Sequence, residues 1–126
     1  PTPGWLDLIP VGVFFAYQEE VSMEIEAALL DGDLSEATVI DVREAVEFET
    51  GSVPGAISIP AGEIRQRLYQ VPRGATVYLL CANGARSLAL VPLLRALGYD
   101  AYSVNGGMWA WLAGRPSGTV DSDVSR

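Results

Sequence analysis

TVYLLCANGARSLALVPLLRALG, residues 76–98, holds the transition on which the fold turns. TVYLLC is rich in β-branched, aromatic and leucine side chains and reads as a buried strand over residues 76–81. ANG then offers no large apolar side chain, so a loop begins directly after Cys81. From there the pattern changes period. Leu90, Leu93, Leu94 and Leu97 recur at helical spacing, and Gly98 supplies the stop. Pro92 removes one backbone donor inside this helix and is expected to bend it locally.

The flanking chain repeats this alternation. ATVIDV, residues 37–42, is a second buried strand whose carboxyl end emerges at Asp41 and Arg43. EAVEFETG after it predicts a short helix ended by Gly51, and VPGAISIP a turn and a brief strand at Ala56–Ile59 between Pro54 and Pro60. Glu63–Tyr69 reads as a short helix, Ala101–Val104 as a last strand, and MWAWLAG after Gly106 and Gly107 as a last helix. At the other end, Ser22 is a candidate cap for a first helix carrying Met23, Ala27, Leu29 and Leu30, stopped by Asp31-Gly32-Asp33. The chain divides into a leader over residues 1–20, extended around Val11, Val13 and Phe15; a domain over 21–117; and a polar tail over 118–126, expected to be disordered. Strands alternating with helices through short connections predict an α/β domain with a central, mostly parallel sheet and helices on both faces. Ligands of such sheets sit beyond the carboxyl ends of the strands, where Cys81 falls.

Composition narrows the chemistry. The 126 residues, 49% of them hydrophobic, suit one domain, since domains peak at roughly 100–150 residues. The net charge of -8 leaves no positive surface for a polyanion, so nucleic acid is not an expected partner. All 8 basic residues are arginine, and there is no histidine. A Ser-His or Cys-His pair, a lysine Schiff base and a histidine-ligated metal site are therefore excluded, and neither metal nor cofactor is expected. A single cysteine forms no internal disulfide, which fits a reducing compartment, and a cytoplasmic location is the expectation. The most apolar stretch, Leu8–Tyr17, is about half the ~20 residues of a spanning helix and contains Pro10 and Gly12. No membrane span is expected there, and no basic region precedes it as in a signal peptide.

Cys81 to Arg86 join the strand to the helix, and unpaired N–H groups at a helix amino end point at whatever occupies such a loop. Gly84 is free to take positive φ, so that several amides can face one point, and a Cys81 thiolate would occupy it. A free thiol titrates near ~8.5, and a helix amino end with a nearby cation lowers this without any histidine; Arg86 is the candidate cation. Other readings stand beside these. Cys81 as an inert core residue is one, Arg86 in a salt bridge with Glu47 a second, and Ser87 satisfying a backbone group a third. Asp41 and Arg43 either orient the loop or pair with each other. Trp109 and Trp111, two apart on a helix, face different ways, and Trp109 is assigned to the core.

Three segments, DVREAVEFETGSVPGAISIP at 41–60, CANGARS at 81–87 and NGGMWAWLAGRP at 105–116, resemble the rhodanese-like sulfurtransferase domain in order and spacing. The resemblance runs from about Val21 to Pro116. It implies a rhodanese-like fold in which the active-site loop comprises Cys81, Ala82, Asn83, Gly84, Ala85 and Arg86, followed by Ser87. By that resemblance Cys81 attacks the sulfane sulfur of a donor, thiosulfate or a persulfide that includes a protein persulfide, and passes it as a Cys81 persulfide to cyanide or a thiol. Arg86 matches the arginine that ends this loop in the family, and Arg43 belongs to its Asp-Val-Arg motif.

Two positions depart from the family pattern. Ser52 stands where histidine is common. Ala82 and Asn83 are neutral where efficient thiosulfate users carry basic side chains, which points to a persulfide or another sulfane source as the better donor. Two alternatives remain: a non-catalytic rhodanese-like regulatory or protein-binding module, and a cysteine-dependent phosphatase or arsenate reductase. The latter use a longer Cys-x5-Arg loop, whereas four residues separate Cys81 from Arg86.

Overall fold

The computed structural model of the chain describes residues 22–115 together with Gly4 and Leu8. Apart from Gly4 and Leu8, the extended leader and the disordered tail expected from the sequence lie outside the described residues.

Five strands form one sheet, all pairs parallel: β1 (Glu24–Ile25), β2 (Ala37–Asp41), β3 (Ile57–Ser58), β4 (Thr76–Leu80) and β5 (Asp100–Val104), in the order β1-β5-β4-β2-β3. Side chains alternate across the pleat and supply two cores. On one face Ile40, Val77, Leu79 and Ala101 pack with Ile59, Ile64, Val71, Val91 and Leu94. On the other, Val39, Leu80 and Val104 pack with Ala27, Leu30, Val53, Met108 and Trp111. Helix α2 (Ala85–Ala96) covers the first face and α3 (Gly107–Ala113) the second, while the short α1 (Ala45–Glu49) buries no residue fully. This is the α/β architecture, helices on both faces, that the alternating pattern predicts.

The order of the strands positions the site. The chain leaves β2 toward β3 on one side and leaves β4 toward β5 on the other, so the neighbours β2 and β4 form the point where the winding reverses. The connections above their carboxyl ends diverge and leave a crevice. Asp41 closes β2 and Cys81 directly follows β4.

Four local expectations are corrected. Residues 22–31 form no capped helix. The chain stays extended because β5 needs a partner on its free edge: the Ser103 amide donates to Met23 O at 2.7 Å and that of Asn105 to Ile25 O at 2.8 Å. Ser22 Oγ donates to Glu24 O instead of capping, and a 3-10 turn at Ala27–Asp31 brings Ala27 and Leu30 to one side, as three residues per turn requires. Glu63–Tyr69 is likewise not a helix but lies across two 3-10 turns, Ala61–Glu63 and Leu68–Gln70. Arg67, at φ -116°, leaves the helical region between them while its guanidinium donates to Ser58 O. On α2 the fully buried stripe is Ser87, Val91 and Leu94; Leu90 and Leu93 are only partly covered, and Leu97 is exposed. The helix continues through Pro92, which lies on its exposed side. Finally, Trp111 is the core tryptophan, 6% exposed, and Trp109 is 66% exposed. Both follow the turn of α3: Met108 and Trp111, three apart, reach the sheet together, and Trp109 falls on the other side.

The Arg115 guanidinium stacks 3.8 Å over the Trp111 ring and forms an ion pair with Asp31, tying the end of α3 to the 3-10 turn beside it. Trp111→Ala is therefore expected to lower stability by about 3–5 kcal/mol, and Trp109→Ala by less than about 1 kcal/mol. Urea denaturation of the two variants measures the difference, and equal losses would refute this assignment of faces.

Candidate active site

The loop after β4 is built around the Cys81 sulfur. Gly84 adopts φ 96°, the left-handed conformation that its missing side chain permits, and begins α2. A Cβ there would meet Gly106 N at 3.0 Å and Val104 O at 3.2 Å, so only glycine fits without movement. The turn directs amides inward: Gly84 N–H donates to Cys81 Sγ at 3.1 Å and Ser87 N–H at 3.4 Å. Asn83 Oδ1 accepts from the Ala85 amide at 3.0 Å and stabilises the outer side of the turn.

Helix α3 holds the same loop from above. Met108 N–H donates to Cys81 O at 2.8 Å and Trp109 N–H to Ala82 O at 3.0 Å. These are orphan donors of a helix amino end, satisfied by the loop's carbonyls. The approach is so close that a Cβ on Gly107 would lie 2.2 Å from Cys81 O. The glycine pair Gly106-Gly107 thus has a structural cause.

A buried hydroxyl chain runs beneath the sulfur. Ser87 Oγ lies 3.4 Å from Sγ and 2.7 Å from Ser103 Oγ, and both hydroxyls also reach Gly84 O, at 3.2 and 3.4 Å. Neither serine is exposed to solvent. With a thiolate at Cys81, Ser87 O–H donates to sulfur and accepts from Ser103. With a neutral thiol at Cys81 the Ser87 hydroxyl can donate to Gly84 O instead, the backbone role that its position at the helix start suggested. Ser103 lies in a different element, and no local motif marks it.

These contacts decide the thiol's acidity. Burial of Cys81 pushes its pKa up, but the Ser87 hydroxyl and the amides of Ser87, Gly84 and Asn83 together outweigh burial, and the net shift is downward. Arg86 is not among the causes, so the expected role of a neighbouring cation passes to hydrogen bonds.

A cleft of about 130 Å³ opens on Cys81, lined by Arg43, Glu47, Ala82, Asn83 and Arg86. Arg43 and Asp41 pair with each other: Nη2 lies 2.8 Å from Asp41 Oδ2, and Nε donates to both carboxylate oxygens. Ser52 Oγ donates to Asp41 Oδ2 at 2.6 Å, and Arg43 Nη2 also donates to Gly51 O. The buried carboxylate is thus fully partnered. Arg86 is exposed and makes no ion pair with Glu47. Asp41, Ser52 and Arg43 form a buttress beside the cleft, and Arg43 also lines it. Among the described residues no group of histidine, cysteine or acidic side chains could hold a metal, and no helix is long and apolar enough to cross a membrane.

The family model for the rhodanese-like domain matches residues 23–114. The uncharacterized protein YqhL of Bacillus subtilis is 33% identical over 98 residues, 77% of this chain and 78% of that protein. The putative sulfurtransferase YtwF of the same organism is 30% identical over 93 residues, 74% of this chain and 89% of that protein. The crystal structure of a rhodanese-related protein from Thermoplasma volcanium superimposes with a TM-score of 0.69 at 37% identity, covering 74% of this chain and 94% of that one. Other relatives are longer, and the chain spans half of their length or less.

Alkylation of Cys81 by iodoacetamide, followed against pH, is expected to have its midpoint below that of the same cysteine in the unfolded chain. Ser103→Ala should move that midpoint upward, with Arg43, Glu47 and Arg86 around the cleft unchanged. An unmoved midpoint would remove Ser103 from the network. Between the folded and the free thiol pKa the unfolded chain binds the extra proton, so the thiol adds stability as pH rises through this window and loses it as pH falls. Cys81→Ser should abolish that slope. Gly107→Ala should cost about 2 kcal/mol or more and slow alkylation, since the Cβ displaces the Cys81–Ala82 backbone.

Proposed function

The chain belongs to the rhodanese-like domain family, and from that premise we propose that it is a rhodanese-type sulfurtransferase, of the thiosulfate sulfurtransferase class, that carries sulfane sulfur on Cys81. The observation that carries this reading is the convergence of the Gly84 and Ser87 amides and the Ser87 hydroxyl on one sulfur atom. Such a cradle stabilises anionic sulfur both before and after it receives a second sulfur atom. An inert core cysteine has no use for three donors.

In the first half-reaction the Cys81 thiolate attacks the sulfane sulfur of the donor. An S–S bond forms, and the donor's own bond to that sulfur breaks, its electron pair leaving on sulfite or a thiolate. In the second, a thiolate or cyanide attacks the outer sulfur, and the electron pair of the Cys81 S–S bond returns to Sγ. Electrons balance within donor and acceptor, so the cycle needs no cofactor. It requires Cys81 to stay reduced, which suits a cytoplasmic setting.

The cleft favours donors of low charge. Ala82 and Asn83 add no cation, Arg43 is largely neutralised by Asp41, and Glu47 adds a carboxylate. Thiosulfate, a dianion, meets Arg86 as the one uncommitted cation among the described residues of the cleft, whereas a small or protein persulfide has less charge to place. The phosphatase alternative fits poorly, because a phosphoryl group needs several amides and an arginine around its oxygens, while here the nearest amides are spent on the sulfur itself. The non-catalytic module would leave the lowered thiol pKa without a purpose.

Incubation of the protein with a persulfide donor or thiosulfate should add about 32 Da to Cys81 by intact-mass spectrometry, and cyanide or a thiol should remove it. Cys81→Ser should show no adduct and no turnover. A folded wild-type protein with a free thiol that takes up no sulfur from any donor would overturn the reading in favour of a binding module.

A further inference from the structure

The charged side chains around the cleft are not equivalent. Arg43 is committed to Asp41 at 2.8 Å and to Gly51 O. Arg86 forms no hydrogen bond or ion pair with any described residue. Glu47 accepts the Glu44 amide on Oε1 at 3.2 Å, closing the cap of α1, and its Oε2 accepts nothing from any described residue. One uncommitted cation and one uncommitted carboxylate oxygen therefore line, with Cys81 and the neutral Ala82 and Asn83, a space of about 130 Å³. Opposite charges held apart around a small cavity suit a ligand that carries both.

Resting on the sulfur-transfer reading, we propose that the acceptor is a small zwitterionic α-amino thiol, with its carboxylate on Arg86 and its ammonium on Glu47. Free cysteine is the simplest member of this class. It carries both charges on one carbon, a single methylene from the sulfur, so three contacts are made within one small cleft. Guanidinium and carboxylate match as a two-pronged pair, and an ammonium needs an acceptor of its own. Cyanide, a simple anion, has no group for Glu47. The acceptor thiolate attacks the outer sulfur of the Cys81 persulfide, a new S–S bond forms on the acceptor, and the broken bond leaves its electron pair on Sγ. The acceptor's thiol proton has gone to solvent beforehand.

The test uses the full chain loaded with inorganic polysulfide and desalted, with sulfur loss from Cys81 followed by intact mass. Cysteine is compared with 3-mercaptopropionate, which lacks the ammonium, and with cysteamine, which lacks the carboxylate. Glu47→Gln keeps the cap of α1, and should lower the ratio of cysteine to 3-mercaptopropionate rates about tenfold, the scale of one charge-assisted hydrogen bond. Arg86→Gln should lower the ratio of cysteine to cysteamine rates by a similar factor. On the wild-type protein alone, cysteine should saturate at a lower concentration than either analogue, a readout independent of both variants. Ratios unmoved in the variants and equal saturation for the three thiols would overturn the inference while leaving sulfur transfer intact. A loaded wild-type protein that discharges to no thiol and no cyanide would overturn the sulfur-transfer reading with it.

Discussion

The site depends on a contact between backbones. The first turn of α3 donates its N–H groups to the carbonyls of Cys81 and Ala82, and Gly107 is what lets the two segments come that close. With the carbonyls of the loop held outward in this way, its amides are left to face inward, and Gly84 N–H and Ser87 N–H meet at Sγ. A helix end thus meets two needs at once: its own orphan donors are satisfied, and the orientation of the neighbouring peptide groups is decided. The thiol's acidity follows from geometry rather than from a neighbouring charge. That is how a chain without histidine or lysine lowers the pKa of a cysteine.

The sheet supplies the rest. Reversal of the winding between β2 and β4 opens the crevice, and the ends of those two strands line it with chemically different groups. The β4 side contributes sulfur and amides. The β2 side contributes an ion pair, Asp41 with Arg43, stiffened by Ser52. Breaking one partner of such a pair would leave a buried charge alone, so the two residues are best regarded as a single unit that gives the cleft a firm wall. The serine at position 52 keeps this wall hydrogen-bonded without adding charge.

Much of this was legible in the sequence, and the reasons are local. β2, β4 and β5 are apolar runs ending in polar residues, and the requirement for positive φ at Gly84 is written in its own residue type. Residues 22–31 have the composition of a helix, but their conformation is decided by the unpaired edge of β5, some eighty residues away. Glu63–Tyr69 has a helical composition, but Arg67 reaches for Ser58 and the turn opens. Trp109 and Trp111 differ only in which side of α3 meets the sheet, and the direction of a helix face is a property of the assembled fold. Ser103 was invisible for the same kind of reason: a strand serine next to an apolar residue carries no signal until α2 lays Ser87 against it.

Burial of the sulfur has a regiochemical consequence. Cys81 is only 3% exposed, and its Sγ sits beneath the loop amides. On the proposed sulfur-transfer reading, a sulfur added to Sγ would lie about 2.05 Å from it, on the side of the cleft. Of the two atoms in such a persulfide, the inner one is shielded by the loop and the outer one is presented to solvent. Attack at the inner atom would expel hydrosulfide and strand the protein as a mixed disulfide, whereas attack at the outer atom hands the sulfur on and regenerates the thiolate. On that reading, the loop that acidifies the cysteine would also dictate which end of the persulfide an incoming nucleophile can touch.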